Sequence, residues 1–237
     1  MAKMKFYGSG FPYLEKEHLK GKLIVLEGTD GVGRSTQVAM LKRWLEKNSF
    51  AVSDTGLRRS PLTQPGLDKA KEGNTLSPTT LSLFYATDFA DRLENQIIPA
   101  MGAGFHVLSD RYFYSIMARD VVRGLDPKWT REVYGFALIP DMVIYLKADI
   151  PTLVTRIVHG RGFNFWESGM DIIKEQNLYD SFIQYQTCMI EQFDTMAQEY
   201  HFKVVDANRS VKEVFADIKV LVEKLISPSR ESREKNP

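Results

Sequence analysis

The chain has 237 residues, of which 43% are hydrophobic and 26% are charged, and its formal net charge is +1. This composition is typical of a globular domain and excludes a disordered chain. The balanced charge argues against a protein that binds nucleic acid or an anionic membrane by bulk attraction. The single cysteine, Cys188, excludes an internal disulfide and a cysteine-based zinc site.

The apolar runs are short, and none approaches the roughly 20 residues that a membrane-spanning helix needs. Lys3 and Lys5 near the amino terminus are not followed by the apolar stretch of a signal peptide. We therefore expect a cytoplasmic protein with neither a membrane nor a nucleic acid as partner.

Short β-rich runs alternate with longer helical patterns from residue 21 to residue 226, which we interpret as one domain. Residues 1–20 are interpreted as an extension ahead of it, and residues 227–237 as a flexible tail. The predicted strands are Lys22–Glu27, Phe50–Asp54, Phe105–Ser109, Met142–Lys147 and Phe202–Asp206. Continuous apolar runs of this kind favour a parallel sheet that is covered on both faces.

Two helices are predicted in the second half of the chain, because apolar residues recur there at helical spacing. One stripe comprises Leu178, Phe182, Tyr185, Met189, Phe193 and Met196, and the other comprises Val211, Val214, Phe215, Ile218, Leu221, Val222 and Leu225. Alternation of such helices with the strands predicts an α/β fold of three layers, with a five-stranded parallel sheet and helices on both faces.

Residues 28–36 read GTDGVGRST, and they lie between the first predicted strand and a helical pattern. This is the expected position of a phosphate-binding loop, in which glycines let backbone N–H groups turn towards an anion. The start of the following helix adds partial positive charge, and a serine or threonine there can bind Mg²⁺.

Arg34 stands where such loops usually carry lysine. Arginine keeps the positive charge and its donors, but its planar guanidinium is larger than an ammonium. Either the loop uses arginine with adjusted geometry, or it binds phosphate without efficient transfer. The first alternative is favoured, because arginine suits phosphate well.

The loop and several shorter segments resemble the thymidylate kinase family in their order and spacing, from Lys22 to Leu225. The other segments that carry the resemblance are Arg59-Ser60-Pro61, Leu76-Ser77-Pro78-Thr79-Thr80, Asp110-Arg111-Tyr112, Pro140-Asp141-Met142, Arg156–Arg161 and Val205-Asp206-Ala207-Asn208. The resemblance implies a P-loop NTPase fold, usually a homodimer, that uses ATP with Mg²⁺ and a nucleoside monophosphate, most often dTMP.

The resemblance also implies roles for individual residues, with a mobile lid at about 159–171. It assigns catalysis to Asp30, Arg34, Asp110 and Arg111, and the metal to Ser35 and Asp110. It assigns ATP to Gly28, Gly31, Val32, Gly33, Arg34, Ser35, Thr36, Arg156, Arg161, Ala207 and Asn208. It assigns the acceptor to Asp30, Arg59, Tyr85, Phe89, Arg111, Ser115, Arg119 and Asp120.

The chain departs from the family's pattern around the acceptor base. Phe89 stands where the family has a base-contacting arginine, Arg119-Asp120 replaces Tyr-Gln, and neither usual catalytic arginine is at its expected place. Two alternatives therefore stay open beside a dTMP kinase. One is a kinase of another nucleotide acceptor, and the other is a catalytically weak nucleotide-binding protein on the same scaffold.

Overall fold

The computed structural model of the chain describes residues 2–13, 18–73, 75–173 and 177–227. Apart from Ser227, the tail predicted at 227–237 lies outside these residues. In chain order the elements are β1 (Ala2–Lys3), β2 (His18–Leu19), β3 (Leu23–Glu27), α1 (Arg34–Lys47), β4 (Val52–Gly56), α2 (Gln64–Gly73), α3 (Pro78–Arg92), α4 (Ile98–Gly102), β5 (His106–Asp110), α5 (Phe113–Val122), α6 (Pro127–Val133), β6 (Met142–Lys147), α7 (Ile150–His159), α8 (Leu178–Glu199), β7 (Lys203–Asp206) and α9 (Val211–Ile226). A π-helical segment, Leu93–Ile97, joins α3 to α4.

The predicted five-stranded parallel sheet is confirmed, with the strand order β4-β5-β3-β6-β7. The central strand β3 pairs with β5 on one side and with β6 on the other. Since parallel strands end at the same edge, the loops after β3 and β5 lie side by side, and Leu26 is in register with Asp110. In open α/β sheets, ligands bind at this carboxyl edge.

Helices cover both faces of the sheet, which confirms the three-layer architecture. Along β3, Leu23 and Val25 belong to one buried cluster, whereas Ile24 and Leu26 belong to the other. The alternation follows from the period of two in a strand, and it explains why β3 is apolar from Leu23 to Leu26. The stripe of α8 is buried after its first residue, Leu178, which is exposed. In α9, Val214, Ile218 and Val222 are buried, Phe215, Leu221 and Leu225 are partly buried, and Val211 is exposed.

Most strand boundaries lie within one residue of the prediction, but β4 differs. It begins at Val52 and ends at Gly56 rather than spanning Phe50–Asp54. Its sequence, VSDTG, is not an apolar run, because β4 is an edge strand and pairs only with β5. An edge strand has one neighbour and needs less apolar surface than a central one.

The described part of the amino-terminal extension packs against the domain. Phe6 forms an antiparallel bridge with Leu138, and the Tyr7 and Tyr114 hydroxyls are hydrogen-bonded at 2.5 Å. Met4 and Leu19 are buried in the same cluster as Leu23. Residues of the extension thus contribute to one of the two cores. Within the described residues, no helix is long and apolar enough to cross a bilayer.

Candidate active site

The loop predicted to bind phosphate connects β3 to α1, and its backbone requires glycine. Gly28 has φ of 144° and Gly33 has φ of 97°, both in a region that residues with a side chain rarely adopt. A Cβ on Gly28 would also lie 2.6 Å from the Leu146 carbonyl oxygen. The first N–H groups of α1 have no helical partners and form an anion site at the end of this loop.

A cleft of about 1000 Å³ extends from this loop along the carboxyl edge of the sheet. The end next to the phosphate loop is lined by Gly31, Val32, Gly33, Arg34, Ser35, Thr36, Arg156 and Arg161. Its other end is lined by Arg58, Arg59, Lys71, Leu81, Tyr85, Ile116, Arg119, Asp120, Arg123 and Trp166. Asp30, Asp110 and Arg111 also line it. The structure thus brings most of the predicted site residues into one cavity.

The Arg34 guanidinium lies across the base of the loop and is largely buried. Its Nη1 donates to the carbonyl oxygens of Gly28 and, at 2.5 Å, of Thr29, while its Nε donates to Asp110 at 3.1 Å. A lysine ammonium has no fork with which to span carbonyl and carboxylate acceptors in this way. In this conformation Arg34 therefore braces the loop as well as placing a cation at its edge.

Ser35 and Asp110 meet where a metal ion would be expected, since the Ser35 hydroxyl donates to Asp110 at 2.6 Å. Burial raises the pKa of Asp110, but Arg34, the Ser35 hydrogen bond and Arg111 outweigh it and hold that pKa below its ordinary value. In the part of the chain that is described, no cluster of three or more potential metal ligands is present. An anionic oxygen and a hydroxyl fit Mg²⁺, which usually takes few protein ligands and completes its shell with phosphate and water.

Asp30 lies between two arginines in the middle of the cleft. It accepts hydrogen bonds from Arg111 and, at 3.2 Å, from Arg119. Burial raises the pKa of Asp30, but Arg111, Arg119 and Arg34 hold it far below its ordinary value, so the group is an anion. Burial and the like charges of Arg119 and Arg34 lower the pKa of Arg111 to about 10. The arginines outnumber the carboxylates, which suits a site for phosphate.

Arg111 also has an unusual backbone, with φ of 74°. Its N–H donates to the Leu26 carbonyl at 3.0 Å, and its own carbonyl accepts from the Ser109 hydroxyl at 2.6 Å. A left-handed arginine costs free energy and persists only where the surrounding contacts fix it. These contacts direct the Arg111 side chain at the carboxyl edge of the sheet towards Asp30.

The loop that carries Arg58 and Arg59 is held in place by a buried carboxylate. Asp88 accepts from the backbone N–H of Arg58 at 3.1 Å and of Ser60 at 3.0 Å, and Arg92 donates to it at 2.9 Å. The Asp88–Arg92 pair is almost fully buried. Arg59 contacts Asp54 at 3.1 Å and remains half exposed, so its guanidinium is accessible from the cleft.

The far end of the cleft combines an aromatic ring with polar groups. Tyr85 is on α3, which begins at Ser77 and Pro78 because the serine caps the helix and proline suits its first turn. Asp120 on α5 accepts from the Ser82 hydroxyl at 2.5 Å. Burial raises the pKa of Asp120 to about 7, although Ser82, Arg123 and Arg119 oppose this.

Two predicted acceptor residues do not reach the cleft. Phe89 is fully buried and packs edge-on against Tyr112 with 4.7 Å between ring centroids. Ser115 is also buried, and its hydroxyl donates to Glu27 at 2.5 Å. Neither Phe89 nor Ser115 lines the cleft, and their contact with the acceptor stays a prediction. Phe89 contributes to core packing, and Ser115 supports the end of β3.

In the loop after β7, Ala207 and Asn208 do not line the cleft, and their contact with ATP stays a prediction. Ala207 is buried and contributes its carbonyl, which accepts from Arg156 at 2.7 Å. Asn208 accepts from the Asp149 N–H at 3.0 Å and lines a separate, more apolar pocket of about 680 Å³. Arg156 also donates to the Val32 carbonyl at 3.1 Å, so it links the phosphate loop to the loop after β7.

In the predicted lid, Arg161 lines the cleft, and its largely exposed side chain forms an ion pair at 2.5 Å with Glu167, which is mostly buried. Sequence reasoning missed Arg58, Lys71 and Arg123 as lining residues. Arg123 follows Arg119 by one helical turn, a spacing that indicates a shared face. No comparable spacing in the sequence predicts that Lys71 on α2 faces the cleft, because the orientation of α2 depends on how that helix packs.

Comparison with known proteins identifies a family whose members match most of the chain. The family model for thymidylate kinase matches residues 26–218. The chain belongs to the thymidylate kinase family. It is 37% identical over 213 residues to a protein of Saccharolobus solfataricus named probable thymidylate kinase 2, with 89% of this chain and 100% of that protein aligned.

Other members of the thymidylate kinase family match over similar lengths. A probable thymidylate kinase of Thermococcus gammatolerans is 32% identical over 216 residues, with 87% of this chain and 98% of that protein covered. A thymidylate kinase of Carboxydothermus hydrogenoformans is 29% identical over 221 residues, with 87% and 99% covered. The matches therefore extend over nearly the whole length of these family members.

Proposed function

We propose that the protein transfers the γ-phosphoryl group of ATP to dTMP and forms dTDP and ADP. The observation that carries the proposal is the single cleft, which joins the phosphate loop at one end to an aromatic, partly polar pocket at the other. Membership of the thymidylate kinase family supports the same reaction.

The donor phosphates would lie over the phosphate loop, against the first N–H groups of α1 and the Arg34 guanidinium. Ser35 and Asp110 would hold Mg²⁺, which supplies charge neutralisation for the phosphates when it is bound. Arg156 would hold the phosphate loop in place against the residues after β7, because it donates hydrogen bonds to carbonyl oxygens of both segments.

The acceptor phosphate would lie between Arg59 and Arg111, and Asp30 would orient Arg111 and Arg119 around it. The attacking group is a phosphate oxygen, which is already anionic at neutral pH, so the reaction needs positioning and charge neutralisation more than a general base. Tyr85 would contact the acceptor base with its ring. Arg161, at the edge of the cleft, would approach the triphosphate as the lid closes.

The direct test is to incubate the protein with ATP, Mg²⁺ and dTMP and to separate the nucleotides by chromatography. Equal amounts of dTDP and ADP are expected, and neither should form when Mg²⁺ is chelated. ADP without dTDP would indicate ATP hydrolysis and would contradict the proposed transfer.

We further propose that the protein works in the cytoplasm as a homodimer. The family resemblance supports the dimer, and the balanced charge and the composition support the compartment. Light scattering after size exclusion is expected to report twice the 27.1 kDa chain mass. A mass of 27.1 kDa at micromolar concentration would contradict the dimer.

A further inference from the structure

Three cations that line the cleft, Arg58, Lys71 and Arg123, are not used by the mechanism above. Lys71 lies in the last turn of α2, and its side chain enters the far end of the cleft. Its Nζ donates to the Tyr85 hydroxyl at 3.3 Å and lies 4.7 Å from the centroid of the Trp166 ring. The ammonium is therefore positioned between the aromatic groups of the pocket that we assign to the acceptor base.

The neighbouring cations have carboxylate partners, whereas Lys71 has none within the described residues. Arg58 pairs with Asp68, Arg119 with Asp30 and Arg123 with Asp171. Burial lowers the pKa of Lys71, and the charges of Arg119 and Arg58 act in the same direction. A partly desolvated ammonium without a carboxylate partner gains most from an acceptor that a ligand brings.

Lys71 also influences the ring that would contact the base. Burial raises the pKa of Tyr85, but Lys71, Arg119 and Arg58 outweigh it and hold that pKa below its ordinary value. An ammonium has three N–H donors, and the Tyr85 hydroxyl accepts from only one of them. The other donors remain for a group in the cleft, where Leu81 and Ile116 offer no hydrogen-bond partner.

We propose that Lys71 is a specificity-determining residue that donates a hydrogen bond to the C4 carbonyl oxygen of the acceptor base. The proposal rests on the proposed function, and it assigns base recognition to α2 rather than to position 89, where Phe89 is buried in the core. Thymine and uracil carry a carbonyl at C4, whereas cytosine carries an amino group there. An ammonium only donates, so it favours the first two bases over cytosine.

The test compares dTMP with dCMP in Lys71→Met, which keeps the length of the side chain and removes its charge. The kcat/KM for dTMP is expected to fall by about 10- to 100-fold, mainly through KM, while that for dCMP changes by less than about threefold. Lys71→Arg should restore most of the preference, because the guanidinium also donates. Lys69→Met is the matched control, since Lys69 is exposed on the same helix.

Several results would overturn the assignment. An unchanged ratio of dTMP to dCMP would show that Lys71 does not read the base, and an equal loss for both would place its contact on a part that they share. If the parent protein turns over no dTMP, the proposed function fails, and calorimetric binding then tests Lys71 separately. Equal dTMP affinity in the parent and Lys71→Met, or no dTMP binding by the parent, would overturn the Lys71 proposal as well.

Discussion

At the scale of single residues, Arg34 is the clearest departure from a common phosphate loop. Its guanidinium bonds to two carbonyl oxygens of the loop and to Asp110, so it is both a cation and a brace. Lysine at this position would keep the charge but lose part of the brace. The substitution therefore changes how the loop is supported without removing its positive charge.

Arg34→Ala is expected to lower kcat for phosphoryl transfer by at least about 10³-fold, because the transferring phosphates lose a cation. Arg34→Lys is expected to keep measurable activity, with a lower melting temperature. Steady-state ADP release measures the first effect and thermal unfolding the second. Arg43→Ala, at an exposed position of α1, is the control. Full activity in Arg34→Ala would show that this cation takes no part in transfer.

The raised pKa of Asp120 predicts that the stability of the fold depends on pH. Its pKa is raised from the ordinary 3.8 to about 7, mainly by burial, so the folded protein binds this proton more tightly than the unfolded chain. The contribution to stability is complete below the unfolded pKa and is lost as the pH rises through about 7.

Relative to Asp120→Asn, the parent's free energy of unfolding should fall by up to about 4 kcal/mol between about pH 4 and pH 8. Urea unfolding of both proteins across this range measures the difference. Asparagine can still accept from Ser82, and other titrating groups such as Glu27 cancel in the comparison. Parallel stability curves would contradict a raised pKa at Asp120.

At the scale of elements, the amino-terminal extension adds apolar surface to one core. Met4 and Leu19 are buried, and the Tyr7 hydroxyl bonds to Tyr114 on α5, the helix that also carries Arg119 and Asp120. The extension thus contacts the outer side of an element that lines the cleft. Its contribution to folding is open to a direct test.

Met4→Ala is expected to destabilise the protein by about 2–5 kcal/mol, the usual loss when a large buried side chain is truncated. Tyr13→Ala is the control, since Tyr13 is 70% exposed and should change stability by no more than about 0.5 kcal/mol. Urea unfolding measures both. Equal stability of the two variants would show that the extension is not part of the cooperative core.

At the scale of the whole molecule, the sheet and the phosphate loop were predictable because their signals are local. The β3–α1 connection carries its glycines within a few residues, and the central strand β3 is apolar from Leu23 to Leu26. The edge strand β4 was harder to place, because VSDTG has no apolar pattern.

Sequence reasoning named most of the residues that line the cleft beside the phosphate loop, but it missed several cations at the far end. Phe89 and Asp120 lie on different helices, and only the packing of α3 against α5 decides which of them faces the cleft. Lys71 was missed for a similar reason, since the orientation of α2 depends on its contacts with α3. Motif order identifies the family, but tertiary packing determines the residues that contact the acceptor base.

The most direct test of the proposed function is kcat/KM for dTMP, dUMP, dCMP, dGMP and dAMP at one saturating concentration of ATP and Mg²⁺. We expect dTMP to be the best acceptor and dUMP to be detectable, since both carry the C4 carbonyl that Lys71 would contact. A higher kcat/KM for a purine monophosphate than for dTMP would contradict the acceptor assignment, although the protein would still be a nucleotide kinase. No turnover with any of the five nucleotides would contradict the proposal that the protein is a nucleoside monophosphate kinase.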